Sequence, residues 1–127
     1  MVHKNQIIGF MALFVVLWTA PAAASDLRVI DGDTIHIGKE KIRLIDFDTP
    51  EIRGKCDAER RLARLAKKRL QALLSQGYRI ERTGVDRYQR TLARVWVGDE
   101  MVSTIMVREG YARTLFWDKG ERRRPWC

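Results

Sequence analysis

The sequence predicts a single α+β domain, and three observations carry that prediction. Short segments of alternating apolar and polar residues lie on both sides of one long stretch with helical spacing. Turn residues, chiefly Gly, Pro and Asp, punctuate those segments at close intervals. Once an N-terminal leader is set aside, the chain is long enough for one small core and too short for two.

The leader comes first in the 127-residue chain. Lys4 supplies a positive end, Ile7 to Thr19 is an almost unbroken apolar run, and Ala22-Ala23-Ala24 offers the small residues of a cleavage site. The run is short for a retained membrane helix, although an uncleaved anchor is the competing reading. We therefore expect residues 1–24 to be a signal peptide and residues 25–127 to form the domain. The product would be exported, periplasmic or secreted, with no stable membrane association.

Leu27 to Ile30 is apolar and runs into Asp31-Gly32-Asp33. From Thr34 the residues alternate, Ile35 and Ile37 to one side and Thr34 and His36 to the other, as in a half-buried strand. Gly38-Lys39 suits a tight turn. Lys41 to Phe47 returns as another strand, with Ile42 and Leu44 facing one way and Arg43 and Ile45 the other. Pro50 has no N–H to give to a ladder and stops it.

Ala58 to Gln76 has the spacing of a helix. Leu62, Ala66, Leu70, Leu73 and Leu74 form one apolar stripe with Leu65 at its margin, opposite a basic face that runs from Arg60 to Arg69. Gly77 ends it. Tyr78 to Arg82 and Thr91 to Val97 read as strands around a polar loop, Thr83 to Arg90. Gly98-Asp99 marks a turn, Val102 to Arg108 a short helix ended by Gly110, and Tyr111 to Thr114 a final strand. About five strands with one main helix after the Lys41–Phe47 strand and a short second helix fit a five-stranded OB-type β-barrel. Periodicity alone leaves that as one fit among α+β arrangements.

The formal charge is +8, and only Lys4 of it belongs to the leader, so the domain is strongly basic. A small exported domain of this kind meets polyanions, whether nucleic acid, anionic headgroups or acidic glycans. The leader also places Cys56 and Cys127 in an oxidising compartment. A bridge between them would close most of the domain into one loop, worth up to about 4 kcal/mol in the chain-entropy model. An intermolecular bridge from Cys127 is the other pairing.

Chemistry concentrates in Arg43 to Glu51, R-L-I-D-F-D-T-P-E, and in the upstream turn Asp31-Gly32-Asp33-Thr34. If the two lie side by side in a sheet, Asp33, Asp48 and Glu51 form an oxygen-rich pocket beside a guanidinium, the outline of a metal–phosphate site. No Cys or His lies close to these acids in sequence apart from His36, so hard cations fit, with Ca2+ and Mg2+ both possible. Taken singly, Asp31, Asp33 and Asp48 read equally well as turn residues bonded to nearby backbone.

Five motifs in order resemble the staphylococcal nuclease family of OB-fold nucleases. They are I-D-G-D-T (Ile30 to Thr34), R-L (Arg43-Leu44), D-T-P-E (Asp48 to Glu51), D-R-Y-x-R (Asp86 to Arg90) and V-R-E-G (Val107 to Gly110). The resemblance implies that Asp33, Asp48 and the Thr49 carbonyl bind a calcium ion, Mg2+ being the lesser alternative. It implies that Glu51 activates water, that Arg43 and Arg90 hold the scissile phosphate, and that Arg87, Tyr88 and Phe116 contact the nucleotide. The implied substrates are DNA and RNA, cut to 3′-phosphate ends; we expect single-stranded or locally unpaired substrate, and an intramolecular bridge would favour a monomer.

Three departures stand out. Gln89 occupies a position where the family mostly has Gly, Phe116 one where it has Tyr, and a C-terminal helix of the family's prototype has no counterpart. A Cys56–Cys127 disulfide is the expected clasp in that helix's place. Competing functions are a non-catalytic OB-type polyanion-binding module and an accessory protein of envelope or exopolysaccharide assembly. Loss of Asp33, Arg43, Asp48, Glu51 or Arg90 would have marked a non-catalytic module, and all five are present.

Overall fold

The structure is a computed structural model, and it describes residues 26–114 and 125–127. The expected leader, Phe116 and the Arg122 to Arg124 run lie outside those residues. The described strands are β1 Leu27–Asp31, β2 Thr34–Ile37, β3 Glu40–Leu44, β4 Phe47–Asp48, β5 Arg79–Val85, β6 Thr91–Val97, β7 Glu100–Met101 and β8 Arg113–Thr114, with helices α1 Asp57–Leu74 and α2 Val102–Arg108.

The main sheet runs β1-β2-β3-β6-β5, with β7 added to β6, while β4 and β8 form a separate antiparallel pair. All neighbours are antiparallel except β3 and β6, which run parallel with Ile42 beside Thr91 and Arg43 beside Leu92. A parallel pair needs a crossover, and α1 supplies it. Among the described residues the domain is thus α+β with two helices and a mixed, open sheet. The closed five-stranded barrel expected from the sequence is not the pairing observed. Its Lys41–Phe47 strand breaks at Asp46, whose φ of 75° ends β3 and starts β4. Asp tolerates that left-handed backbone better than most residues, and its carboxylate is held by Arg94 Nε at 2.7 Å.

The core follows the alternation. Ile35 and Ile42 are fully buried, Leu44 nearly so, and they pack with Phe47, Ala93, Val95, Met106 and the inner face of α1. That face is Ala63, Ala66, Leu70, Leu73 and Leu74, with Leu62 half-buried and Leu65 exposed. Gly77 and Gly110 terminate the helices at φ 92° and 82°, values an L residue adopts at a cost.

Candidate active site

The turn between β1 and β2 carries Asp31 and Asp33, and a shift of register between Val29 and Asp31 redirects it. Gly32 lets the turn settle against the neighbouring elements: a Cβ there would stand 2.8 Å from Thr49 Cγ2 and 2.9 Å from Ala66 Cβ. Hydrogen bonds from three neighbouring residues help fix Asp33, whose own N–H donates to Asp31 Oδ1 at 3.2 Å. Its carbonyl accepts from Leu44 N at 2.8 Å, its Oδ1 accepts from the Thr34 hydroxyl at 3.1 Å, and its Oδ2 accepts from Thr49 N at 3.3 Å.

Arg43 projects from β3 into this arrangement. Its Nη1 lies 2.6 Å from Asp33 Oδ2 and its Nη2 lies 3.8 Å from Asp48 Oδ1. The same fork donates to the Leu44 carbonyl at 3.1 Å and, at 3.4 Å, to the carbonyls of Asp33 and Phe47. The turn and the D-T-P-E segment therefore do converge, and a cationic group already bridges their two carboxylates. With the Thr49 carbonyl nearby in chain, the donors are all oxygen, which fits a hard divalent ion.

Glu51 stands at the exposed rim of this centre. Burial, then the negative charges of Asp33 and Asp48, raise its carboxyl above the ordinary glutamate value, against the opposite pull of Arg43. Asp31 is pushed up to about 7, by burial first and then by a side-chain hydrogen bond and charge repulsion from Asp33. Two carboxyls with elevated proton affinity thus stand beside a third held by arginine.

Glu59, which sequence reasoning missed, holds the loop that bears Glu51. It is a buried carboxylate on the first turn of α1. Its Oε2 accepts from Lys55 N at 2.7 Å and its Oε1 from Glu51 N at 3.4 Å. The signal was present: Glu59 follows the N-cap Cys56 by three residues, the spacing of a capping box. Cys56 Sγ accepts from Glu59 N at 3.4 Å while bonded to Cys127, with Cα atoms 5.9 Å apart. Cys56, Glu59 and Cys127 also cluster within 4.8 Å, but disulfide sulfurs are not thiolates and the trio does not make a metal centre.

Arg90 is not in contact with the acidic cluster. Its Nε pairs with Asp86 Oδ2 at 2.8 Å. Asp86 Oδ1 accepts from the backbone N–H of Tyr88 and of Arg90, both at 2.9 Å. Asp86 is a second anchor that sequence reasoning left without a role. Gln89 takes φ 62°, so the turn adopts the conformation that glycine would, and Arg90 leads directly into β6 beside β3. Tyr88 is exposed and Arg87 covers its ring, with the guanidinium 4.8 Å from the centroid.

The domain thus combines a mixed α+β sheet, an arginine clasped between two carboxylates and a basic loop at the head of the neighbouring parallel strand. Similarity then specifies the family. The profile described as "Staphylococcal nuclease homologue" matches residues 41–125. The chain is 40% identical over 107 residues to a thermonuclease of Staphylococcus intermedius, covering 76% of this chain and 62% of that protein. It is 37% identical over 98 residues to a thermonuclease of Staphylococcus hyicus, covering 72% and 58%. An uncharacterized endonuclease of Haemophilus influenzae is 32% identical over 119 residues, covering 87% and 64%. The chain belongs to the staphylococcal nuclease family. It spans about six-tenths of the length of the relatives it matches.

Proposed function

We propose that this domain is a calcium-dependent phosphodiesterase that hydrolyses DNA and RNA to 3′-phosphate products. In this reading it is exported as residues 25–127, works as a monomer, and takes single-stranded or locally unpaired substrate. The observation that carries the reading is the single guanidinium of Arg43 reaching both Asp33 and Asp48. The naming of relatives as thermonucleases and as an endonuclease agrees with it.

Asp33, Asp48 and the Thr49 carbonyl would hold the ion, which when bound supplies positive charge to a phosphate that must accept more negative charge. Few protein carboxylates imply weak affinity, in the ~0.1–1 mM range of extracellular sites. The chain's own residues divide the remaining work. Glu51, at the rim and with raised proton affinity, takes the proton of the attacking water. Arg43 presents two N–H groups in the geometry of two phosphate oxygens and keeps its charge at every working pH. Fixed positive charge at those oxygens lowers the barrier because their charge grows toward the transition state. Arg90, with its turn pinned by Asp86, adds a second guanidinium from the neighbouring strand. Arg87 and Tyr88 extend the contact along the nucleotide.

Incubating the purified protein with single-stranded DNA and RNA, with calcium and then with chelator, tests this. Cleavage that chelator abolishes, with 3′-phosphate ends, is expected; binding without cleavage in calcium overturns it.

A further inference from the structure

Between the acidic centre and the C-terminal segment lies a pocket of about 480 Å³, within the size range of small-ligand sites. We propose that it is a nucleobase-stacking subsite whose platform is the indole of Trp126. The proposal rests on a polynucleotide substrate and adds to that reading a residue in the tail.

One wall is the centre itself, Asp48, Thr49 and Glu51; the facing wall is Trp126. Three links hold the indole. The Arg113 guanidinium lies 3.7 Å from its ring centroid, Arg113 Nη2 donates to the Pro125 carbonyl at 3.3 Å, and the next residue, Cys127, is bonded to Cys56. Arg113 is also the register partner of Asp48 in the β4–β8 pair. The platform is thus tied both to the strand that carries Asp48 and to the cap of α1, so little ordering cost remains to be met on binding.

Charge decides what the pocket takes. Among the described residues, Asp48, Glu51 and Glu59 line it together with Lys55. A second phosphate would meet three carboxylates there, whereas a neutral, flat base meets an aromatic face. Arg43 Nη2 lies 3.8 Å from Asp48, which lines the same pocket as the indole, so a phosphate held at Arg43 stands beside it. Stacking is tolerant of base identity and requires a base that is not paired in a duplex.

The test is binding of a fluorescein-labelled single-stranded oligonucleotide in chelator, read by anisotropy. Trp126→Ala should weaken it by about 5- to 150-fold, the span of one lost base–aromatic stack, and Trp126→Phe should recover most of that. Against an abasic strand of the same length, wild type and Trp126→Ala should bind alike. Mass spectrometry after alkylation verifies that each variant keeps its disulfide. Equal binding of the base-bearing strand by wild type and Trp126→Ala overturns the subsite, as does an equal loss on the abasic strand. A wild type that binds through Trp126 yet never cleaves in calcium upholds the subsite and overturns the nuclease reading. A wild type that cleaves while Trp126→Ala binds undiminished overturns the subsite alone.

Discussion

Arg43 Nη1 sits 2.6 Å from Asp33 Oδ2, and the two side chains are only 18% and 9% accessible. Arginine here is the counter-ion of a largely buried carboxylate as well as a candidate phosphate ligand. Removing it withdraws the guanidinium from both Asp33 and Asp48. Breaking a buried pair from one side costs about 3–5 kcal/mol, so Arg43→Met should lower the melting temperature steeply in chelator. Calcium should restore part of that loss, since a divalent ion neutralises the same carboxylates. Thermal unfolding with and without calcium reads both effects. Arg43→Lys, which keeps charge but not the fork, should reduce turnover by orders of magnitude.

Asp31 gives the domain a pH dependence of unusual sign for an aspartate. Its carboxyl titrates near 3.8 in its ordinary state and at about 7 when folded. Between those values the folded protein holds a proton that the unfolded chain has released, so Asp31's contribution to stability falls as pH rises from about 4 to about 7. The surface acids Glu40, Glu100 and Glu109 are shifted downward by hydrogen bonds to Arg82, Arg108 and Arg69 and act in the opposite direction. The comparison must therefore be differential. Urea unfolding across that range should show wild type losing stability relative to Asp31→Asn, and parallel curves would refute the assignment.

Gln89 bears a backbone cost. At φ 62° a non-glycine residue is disfavoured by about 1–2 kcal/mol, and part of that returns because glycine also loosens the unfolded chain. Gln89→Gly should stabilise the domain by roughly 0.5–1 kcal/mol, measurable by denaturant titration. A loss of stability would mean that the glutamine side chain makes a compensating contact.

The Glu59 clamp predicts a remote effect on Glu51. A Cβ on Gly54 would lie 2.4 Å from Glu59 Cδ. Gly54→Ala must therefore displace the carboxylate that receives the Glu51 and Lys55 N–H groups. Turnover should fall by about tenfold to a hundredfold, the scale of a misplaced catalytic group, while circular dichroism stays native. Unchanged turnover would show that the loop does not depend on the clamp.

Much of the site was legible because its parts are local. Asp33, Arg43 and Asp48 lie on or beside one β-meander, and alternation alone told which side of β3 would bear Arg43. The short helix α2 matches its expected bounds, Val102 to Arg108. Less legible was whatever depends on backbone exceptions or long-range contact. The sign change of φ at Asp46 splits one apolar run into two strands, which no periodicity reports. The Thr83–Arg90 loop is shorter than expected because β5 continues to Val85, where Thr83 Oγ1 also donates to the Leu92 carbonyl at 3.2 Å. The ion pair of Arg90 with Asp86 is an interaction across a tight turn that hydrophobic patterning does not encode.

The parallel seam between β3 and β6 joins stretches far apart in sequence, Ile42 beside Thr91, whereas β1, β2 and β3 are consecutive hairpins. Closing a distant seam costs loop entropy before it returns any contact, so such pairings form late. The Asp33 turn and Arg43 are thus built from early-forming structure, whereas Arg90, beside the β3–β6 seam, and Asp48, in the β4–β8 pair, depend on distant closures. Refolding followed by two probes would see this as an order of events: formation of the β1–β3 hairpins first, and competence to take up a cation or act on a phosphodiester only when the distant seams have closed.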